Sequence, residues 1–530
     1  MSKKFDPDLW DIFNYKAEKE GCPIYLAGRE VSPNEIKDIW QNKKTSNYDI
    51  EIINLSQRFH WLVEKIASNA SLSELRDCYE MVMIWHEGLS DREGNISFAP
   101  YNLSERICNL TIFSCISYKY SCINLHEFEK LRLIISNDLS RLKENLEYPA
   151  SQTLNNHIIN NARALYIGGY FLDSNDAIDI AKAIFRKHLP EMIGEGGYLK
   201  EASSHYQLLL TKNIIESSII AEIFDDSKFH QWISGYARRM IAASRKLLPK
   251  GLKSLIDMPK IGDISPDIPI YWFDPRLENN NFFWNRLWKK SSIINSATKA
   301  NSANDGWHIS HEENWSVLTY SHPSEHEYPI AHGHRDFGSF VVYDNAMPIL
   351  IDIGKYTYDN SRNISTLGNE AQSHSSVLIN KSEPLFYGDK LKSVFPPCNK
   401  NHLKRFELSS PSLFQWKVNE ADYSWDRHLE IIDREKIVIS DSYNAIEAEG
   451  FLYFSHYLKE ELIEGKSIYL SCNNQSKYQI SIDGADVFEM QDVDYFPAYG
   501  LRSSTTRLRW YKSFPPSRRG KINVSITKVK

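Results

Sequence analysis

The chain is poor in cysteine, and what it has shows no pairing pattern. Cys22, Cys78, Cys108, Cys115, Cys122, Cys398 and Cys472 are an odd, scattered set among 530 residues, without a CxxC pair. That excludes a disulfide framework and reads as reduced thiols. A basic excess is missing too: 62 Lys and Arg stand against 68 Asp and Glu, a formal charge of -6. No global field draws in nucleic acid, and an anionic ligand must be gripped by local cations. No stretch approaches the roughly 18 unbroken apolar residues of a membrane span. The start, Met1-Ser2-Lys3-Lys4-Phe5-Asp6-Pro7, has basic residues with no apolar run behind them. These absences predict a cytoplasmic protein without a transmembrane segment, or a periplasmic one if a leader once preceded it.

What is present divides the chain. Its length suits two large domains. Aromatics make up 12% of residues and include 13 Trp, a composition that serves core packing and sugar stacking equally well. Up to about residue 270 apolar residues recur at helical spacing. Phe128, Leu131, Ile135, Leu139, Leu142 and Leu146 form one stripe, with Pro149 predicted to end that helix. Segments 55–68, 73–87, 102–120, 125–147, 155–170, 176–188, 203–223 and 228–247 read as helices joined by short loops. From about 305 the pattern turns to short alternating runs. Gly338–Tyr343 and Met347–Ile353 flank Asp344-Asn345, and Leu429–Ile432 and Lys436–Ser440 flank Asp433-Arg434; both read as hairpins. The expected organisation is a helical domain over 1–270, a connection over 271–304 and an antiparallel β domain over 305–530. The segment Gly262-Asp263-Ile264-Ser265-Pro266-Asp267 is polar enough to line a site.

The densest chemistry lies in His332-Gly333-His334-Arg335-Asp336, Asp352 and Ser373-His374-Ser375. Two histidines at i and i+2 leave the same face of a strand and can share a site, while Asp336 on that face could orient either ring. Two imidazoles and a carboxylate suit zinc, with one histidine to spare.

In order along the chain, Ala99-Pro100-Tyr101-Asn102-Leu103-Ser104-Glu105-Arg106, Asn155-Asn156-His157-Ile158, Glu201-Ala202-Ser203-Ser204-His205-Tyr206, Ile261–Asp267, His332–Phe340, Ile351-Asp352-Ile353-Gly354 and Ser373–Val377 resemble the heparinase II/III superfamily of polysaccharide lyases. The resemblance runs nearly end to end. It implies an α+β multidomain fold, an N-terminal incomplete (α/α) toroid followed by a C-terminal antiparallel β-sandwich. It also implies β-elimination on a uronic acid-containing polysaccharide. Such chemistry requires the uronate carboxylate to be neutralised before its neighbouring proton can leave, and then a base and an acid. By resemblance Asn156 is the amide donor to the carboxylate, with His157 beside it. Tyr206 is the base that can return its proton to the leaving oxygen, its phenolate made accessible by cationic or metal-polarised neighbours, and His332 is its partner across the cleft. His334, Asp352 and His374 hold a structural zinc.

On the helix of Asn156, Asn160 and Arg163 fall at i+4 and i+7 and could border the cleft. Some relatives carry a glutamate where this chain has Asn160. Arg106, Asn160, Arg163, Arg335 and Arg362 are candidates for substrate binding, as is Lys200, because guanidinium forks suit carboxylate and sulfate. Leaderless relatives with a similar GDxSPD segment are associated with bacterial capsule and O-antigen loci, which implies an acidic surface polysaccharide, or its lipid-linked precursor, as partner. Two alternatives stay open. A glycoside hydrolase on the same scaffold would depend on Glu201, Asp263 or Asp267. A non-catalytic glycan-binding or assembly protein would yield no product.

Overall fold

The computed structural model describes residues 7–11, 15–41, 48–89, 96–148, 156–252, 257–267, 305–321, 332–359, 368–384, 403–420, 422–472, 476–515 and 519–529. Ten α-helices lie among them: α1 (Pro33–Trp40), α2 (Ile50–Arg58), α3 (His60–Ala67), α4 (Leu72–Glu87), α5 (Pro100–Lys119), α6 (Leu125–Glu144), α7 (Asn156–Leu172), α8 (Asn175–Met192), α9 (Ser204–Ile223) and α10 (Ser227–Leu247). Starts are marked by capping boxes: Ser32 with Glu35, Ser71 with Glu74 and Asn124 with Glu127 each exchange side-chain and backbone hydrogen bonds. The segment expected as one helix over 55–68 is two, because Phe59 takes a left-handed conformation (φ 59°) between α2 and α3. The stripe helix ends at Glu144, and Pro149 lies outside the described residues.

The helices form two layers. Every residue from Tyr101 to Ser117 in α5 and from Ser204 to Ala221 in α9 is buried, so these helices have no solvent face. Helix α7 is buried almost all round as well. By contrast α6 buries only a stripe, Phe128, Leu131, Ile134, Ile135, Asp138, Leu139 and Leu142. Helix α5 packs on α6 and α7, α7 on α8 and α9, and α9 on α10. Buried α5, α7 and α9 are thus the inner layer and striped α6, α8 and α10 the outer one, as in a toroid.

The second half is antiparallel throughout. Beside a short hairpin near the N-terminus, β1 (Ile24–Leu26) with β2 (Arg29–Val31), one sheet of this half runs β3 (Trp307–Glu312), β4 (Trp315–Tyr320), β5 (Val341–Asp344), β6 (Met347–Leu350). Another runs β7 (Val377–Ile379), β12 (Glu447–Tyr453), β17 (Ser503–Ser513), β16 (Val487–Tyr495). The largest has eight strands: β8 (Leu403–Ser410), β9 (Leu413–Asn419), β10 (Ser424–Ile431), β11 (Lys436–Asn444), β18 (Arg519–Val529), β15 (Ser476–Asp483), β14 (Ser467–Cys472), β13 (Lys459–Glu464). Alternate residues of β10 and β11 turn inward, and one core of Trp315, Phe340, Trp416, Trp425, Leu452 and Trp510 joins the three sheets. Both predicted hairpins form, β5 with β6 and β10 with β11.

One expectation fails here. The HGHRD segment is not a strand: residues 332–340 are irregular and β5 starts only at Val341. Gly338 takes φ +79°, and a Cβ there would sit 2.3 Å from the Trp425 ring. The loop is held instead by Arg427, which forks onto Asp441 through Nε (2.8 Å) and Nη2 (3.0 Å). Its Nη1 donates to the carbonyls of Gly338 (3.0 Å) and Ser375 (2.7 Å). One buried guanidinium therefore fixes the HGHRD loop and the His374 segment to the same sheet.

A separate apolar cluster locks the halves together, with Tyr198, Ala202, Ala243 and Leu247 from the helices against Trp307, Leu318, Tyr320, Val341 and Tyr343 from the sheet. The N-cap residue of α2, Asp49, also takes hydrogen bonds from Thr357 and Tyr499 of the β half. The two halves are therefore joined by both apolar packing and buried hydrogen bonds.

Candidate active site at the junction of the two halves

Residues 257–267 form a strap between the start of α9 and the HGHRD loop. Ser203 caps α9, accepting from the Tyr206 amide (3.1 Å) and donating to the Asp263 carbonyl (2.7 Å). The Ser204 amide donates to the Ile261 carbonyl (3.0 Å), and the Asp263 amide donates to the His332 carbonyl (2.9 Å). Gly262 is squeezed between these chains at φ +73°, where a Cβ would come within 2.3 Å of the Ala202 carbonyl and 2.6 Å of the His332 carbonyl. Only glycine fits such a passage without displacing backbone.

This strap brings Tyr206 onto His332, the rings stacked with centroids 3.6 Å apart and planes 10° apart. The Tyr206 hydroxyl meets that of Tyr358 (3.2 Å), which donates to the Ile264 carbonyl (3.2 Å). Burial pushes the Tyr206 phenol well above its ordinary range; the Tyr358 hydrogen bond opposes this, and the carboxylates of Asp263 and Asp267 add to it. The expected cationic activation is therefore not what surrounds the phenol here: without substrate Tyr206 is held protonated.

His332 is anchored from the other side. Its Nδ1 lies 3.1 Å from Asp263 Oδ2, and its Nε2 lies 3.6 Å from Glu201 Oε2, too long for a hydrogen bond. Burial raises the Glu201 carboxyl, against the pull of His332, His157 and the backbone amide of Asn156. Asp263 Oδ1 meets His334 Nε2 (2.9 Å) and Lys355 Nζ (3.1 Å). Burial would raise the Asp263 carboxyl, but hydrogen bonds to His332 and His334 and the charges of His334 and Lys355 outweigh it, leaving it firmly ionised.

Asn156 opens α7 and is buried, with its side-chain carbonyl lacking any hydrogen-bond partner. A half-turn of the amide would present its NH2 at the same place. His157 turns elsewhere, its Nδ1 2.8 Å from Glu147 and its ring 4.5 Å from that of Tyr101.

The predicted substrate cations need correction. Arg106 is fully buried and forks onto Asp138 (2.7 and 2.9 Å), with Nη1 donating to the carbonyls of Gln57 and Ser97. Arg163 is 1% exposed, its Nη1 2.7 Å from Glu105 and its Nε 2.6 Å from Glu216. Asn160 is buried too and accepts from Arg163 (2.7 Å). All three belong to the interior ion network of the toroid, since packing of the inner helices shuts this face off from the cleft. Arg335 is half-buried and paired with Glu383 (3.0 Å), on the β side. Arg362 lies outside the described residues.

The hydrolase carboxylates are mostly committed as well. Asp267 is buried against Arg58 (2.6 Å), and Asp263 serves two histidines and a lysine. Only Glu201 remains, and hydrolysis needs a pair.

Two of the residues implied as zinc ligands lie side by side. His334 and His374 lie with ring centroids 5.3 Å apart. Each has one nitrogen on a carboxylate, His334 Nε2 on Asp263 and His374 Nδ1 on Asp352 (2.6 Å). Each keeps the other nitrogen, His334 Nδ1 and His374 Nε2, buried without a hydrogen-bond partner. Two orphan imidazole nitrogens would supply two of the four positions that a zinc ion takes. Asp352 acts here as the carboxylate that orients His374, its Oδ1 accepting from the Gly354 amide (3.0 Å). Among the described residues no three His, Cys, Asp or Glu side chains converge as a ready ligand set. Asp336 stands near both rings and makes no side-chain hydrogen bond to either.

The sequence marks Asp263 as a hydrolase candidate in a segment polar enough to line a site, and does not mark Tyr358, Lys355 or Arg427 at all. Tyr358 and Lys355 occur in no recognisable motif, and Arg427 sits within an ordinary alternating strand.

Residues 297–524 match the family described as heparinase II/III-like, C-terminal. Among solved structures, a heparinase III superposes with a TM-score of 0.63 at 13% identity, over 91% of this chain and 78% of its own. A mutant of a heparan sulfate lyase from Pedobacter heparinus gives 0.58 at 13% identity, over 91% and 77%. A second heparinase III gives 0.59 at 13%, over 94% and 84%. No curated protein matches the chain in sequence. At such identity the likeness establishes the fold: a helical toroid followed by a β-sandwich.

Proposed function

We propose that this chain, whose residues 297–524 match the heparinase II/III-like C-terminal family, is a polysaccharide lyase that cleaves a uronic acid-containing glycan by β-elimination. The stack of Tyr206 on His332, one residue from each half, is the observation that carries the reading. A uronate carboxylate placed against Asn156 would be met by its NH2 once the amide is turned, since the buried oxygen now there has no partner to hold it. Its charge is dispersed there as the C5 proton becomes acidic. His332 Nδ1 is occupied by Asp263, so Nε2 is the nitrogen left to accept that proton. As the C4–O bond breaks and the C4–C5 double bond forms, the leaving oxygen takes a proton from Tyr206, which burial holds in the phenol form.

Zinc, where bound, would supply structural cross-linking, with His334 and His374 as its holders and Asp352 orienting the second. The likeness of the 261–267 segment to the leaderless capsule and O-antigen relatives supports an acidic bacterial surface polysaccharide, or its precursor, as substrate. No helix of the described residues is long and apolar enough to cross a membrane.

Incubation with a panel of uronate-containing glycans tests the proposal. An unsaturated uronate end group, seen by its ultraviolet absorbance, is expected, and it should vanish in Tyr206→Phe. New reducing ends without that chromophore would establish hydrolysis instead, and sugar binding with neither product would establish a binding protein.

A further inference from the structure

Three groups surround the Asp263 carboxylate, and two of them have different tasks in the reading above. His332 lies against Tyr206, whereas His334 lies beside His374. The two rings belong to one irregular loop, so no strand geometry fixes their directions. Each nevertheless has one nitrogen on Asp263, at 3.1 Å for His332 Nδ1 and 2.9 Å for His334 Nε2.

We propose that Asp263 is a positioning residue that holds His332 and His334 at once in opposite tautomers, so that a single carboxylate sets which nitrogen of each ring keeps its lone pair. The role of His332 in chemistry rests on the proposed lyase reading; the pairing of tautomers does not. An imidazole that donates Nδ1–H has its lone pair at Nε2, and one that donates Nε2–H has it at Nδ1. For His332 the lone pair then lies on the side of Glu201. For His334 it becomes the buried nitrogen that lacks a partner.

Only a carboxylate can do both, because its two oxygens are acceptors alone. An asparagine in its place offers one acceptor and one NH2, and the imidazole facing the NH2 must reverse its tautomer or turn away. The surroundings leave Asp263 little freedom to adapt. Its amide is bonded to the His332 carbonyl and its carbonyl to Ser203, so the loop and its orienting residue are stitched backbone to backbone. Lys355 Nζ lies 3.1 Å from Oδ1 and balances the charge of the carboxylate. Gly262, next in the chain, permits this close approach.

Histidine-labelled full-length protein, metal-stripped, gives the direct test by nitrogen NMR of the ring tautomers, with His332→Gln and His334→Gln to assign the signals. The wild type should show His332 protonated at Nδ1 and His334 at Nε2. Asp263→Asn should change one of the two while the fold, followed by circular dichroism, stays intact. Either ring in the opposite tautomer in the wild type overturns the assignment, even if the variant does not fold; both tautomers persisting in a folded Asp263→Asn also overturns it.

Zinc titration of the same proteins is the second readout. Asp263→Asn should bind zinc about 10–100-fold more weakly, the usual loss for an outer-shell partner, while Lys355→Met stays within about 3-fold of wild type, since the imidazoles keep their acceptor. Equal zinc affinity in wild type and Asp263→Asn counts against the role. If no glycan on the panel is cleaved by the wild type, the lyase reading fails, and these two measurements still decide what Asp263 does.

Discussion

The phenol of Tyr206 lies flat on the imidazole of His332, centroids 3.6 Å apart. Tyr206 belongs to the first turn of an inner helix and His332 to a loop of the β half, so the contact exists only because the two halves are locked by their shared apolar cluster. An elimination needs an acid and a base at one substrate, and in the proposed reading Tyr206 and His332 supply them from the two halves.

The ring and the hydroxyl of Tyr206 should separate in experiment. Tyr206→Phe keeps the stack and is expected to melt within about 1 kcal/mol of wild type while losing lyase product. Tyr206→Ala empties a buried aromatic site and should cost about 3–5 kcal/mol as well. Calorimetry beside the product assay checks both; product formed by Tyr206→Phe would remove the hydroxyl from the mechanism.

His334→Ala should purify without zinc, and His332→Ala with it. Metal analysis of the two proteins decides, and a full complement of zinc in His334→Ala would refute the site.

Arg106→Ala should lower stability, not substrate affinity. It leaves Asp138 buried without its partner, and breaking such a pair costs about 3–5 kcal/mol. A stable variant with weakened glycan binding would restore Arg106 to the cleft.

Gly262→Ala should disturb the cleft more than the fold of either half. The positive φ alone costs about 1–3 kcal/mol, and the added methyl must push the Ala202 or His332 carbonyl away. A variant with unchanged melting and unchanged product formation would show that the strap is looser than the structure has it.

Acid should destabilise the protein from below pH about 6.5, the ordinary histidine value. Burial pushes His205 down to about 3, with the charge of Lys260 helping, and His308 down to about 4. Between those values and the unfolded one the unfolded chain binds the extra protons. Stability is therefore full above the unfolded value and falls with pH, by up to about 1.4 kcal/mol per pH unit for each ring. His308→Gln, a neutral replacement away from the cleft, should flatten the dependence of melting on pH between about 6 and 4. An unchanged slope would show that His308 titrates normally.

Much of this architecture could be read from the amino-acid order. Helical periodicity and capping pairs such as Ser71 with Glu74 are local signals, and so is the hairpin turn at Asp344-Asn345, whose Asn345 adopts φ 54°. Short elements escaped: α1 is eight residues, and the hairpin of Ile24–Leu26 with Arg29–Val31 has three on each side, too few for a period to show. The HGHRD segment misled because His332 and His334 alternate as strand residues do, whereas the loop is shaped by Arg427 and Trp425, distant in sequence.

The site divides the same way. Residue types and their order along the chain determined which chemistry is available: an amide at Asn156, a phenol at Tyr206 and imidazoles at His332, His334 and His374. Which of these face one another, that Arg106 and Arg163 are spent on interior carboxylates, and that Asp263 binds two histidines together were decided only by tertiary structure. Burial and ion pairing depend on what a distant segment brings within about 3 Å, the reach of a hydrogen bond, and no local pattern encodes that distance.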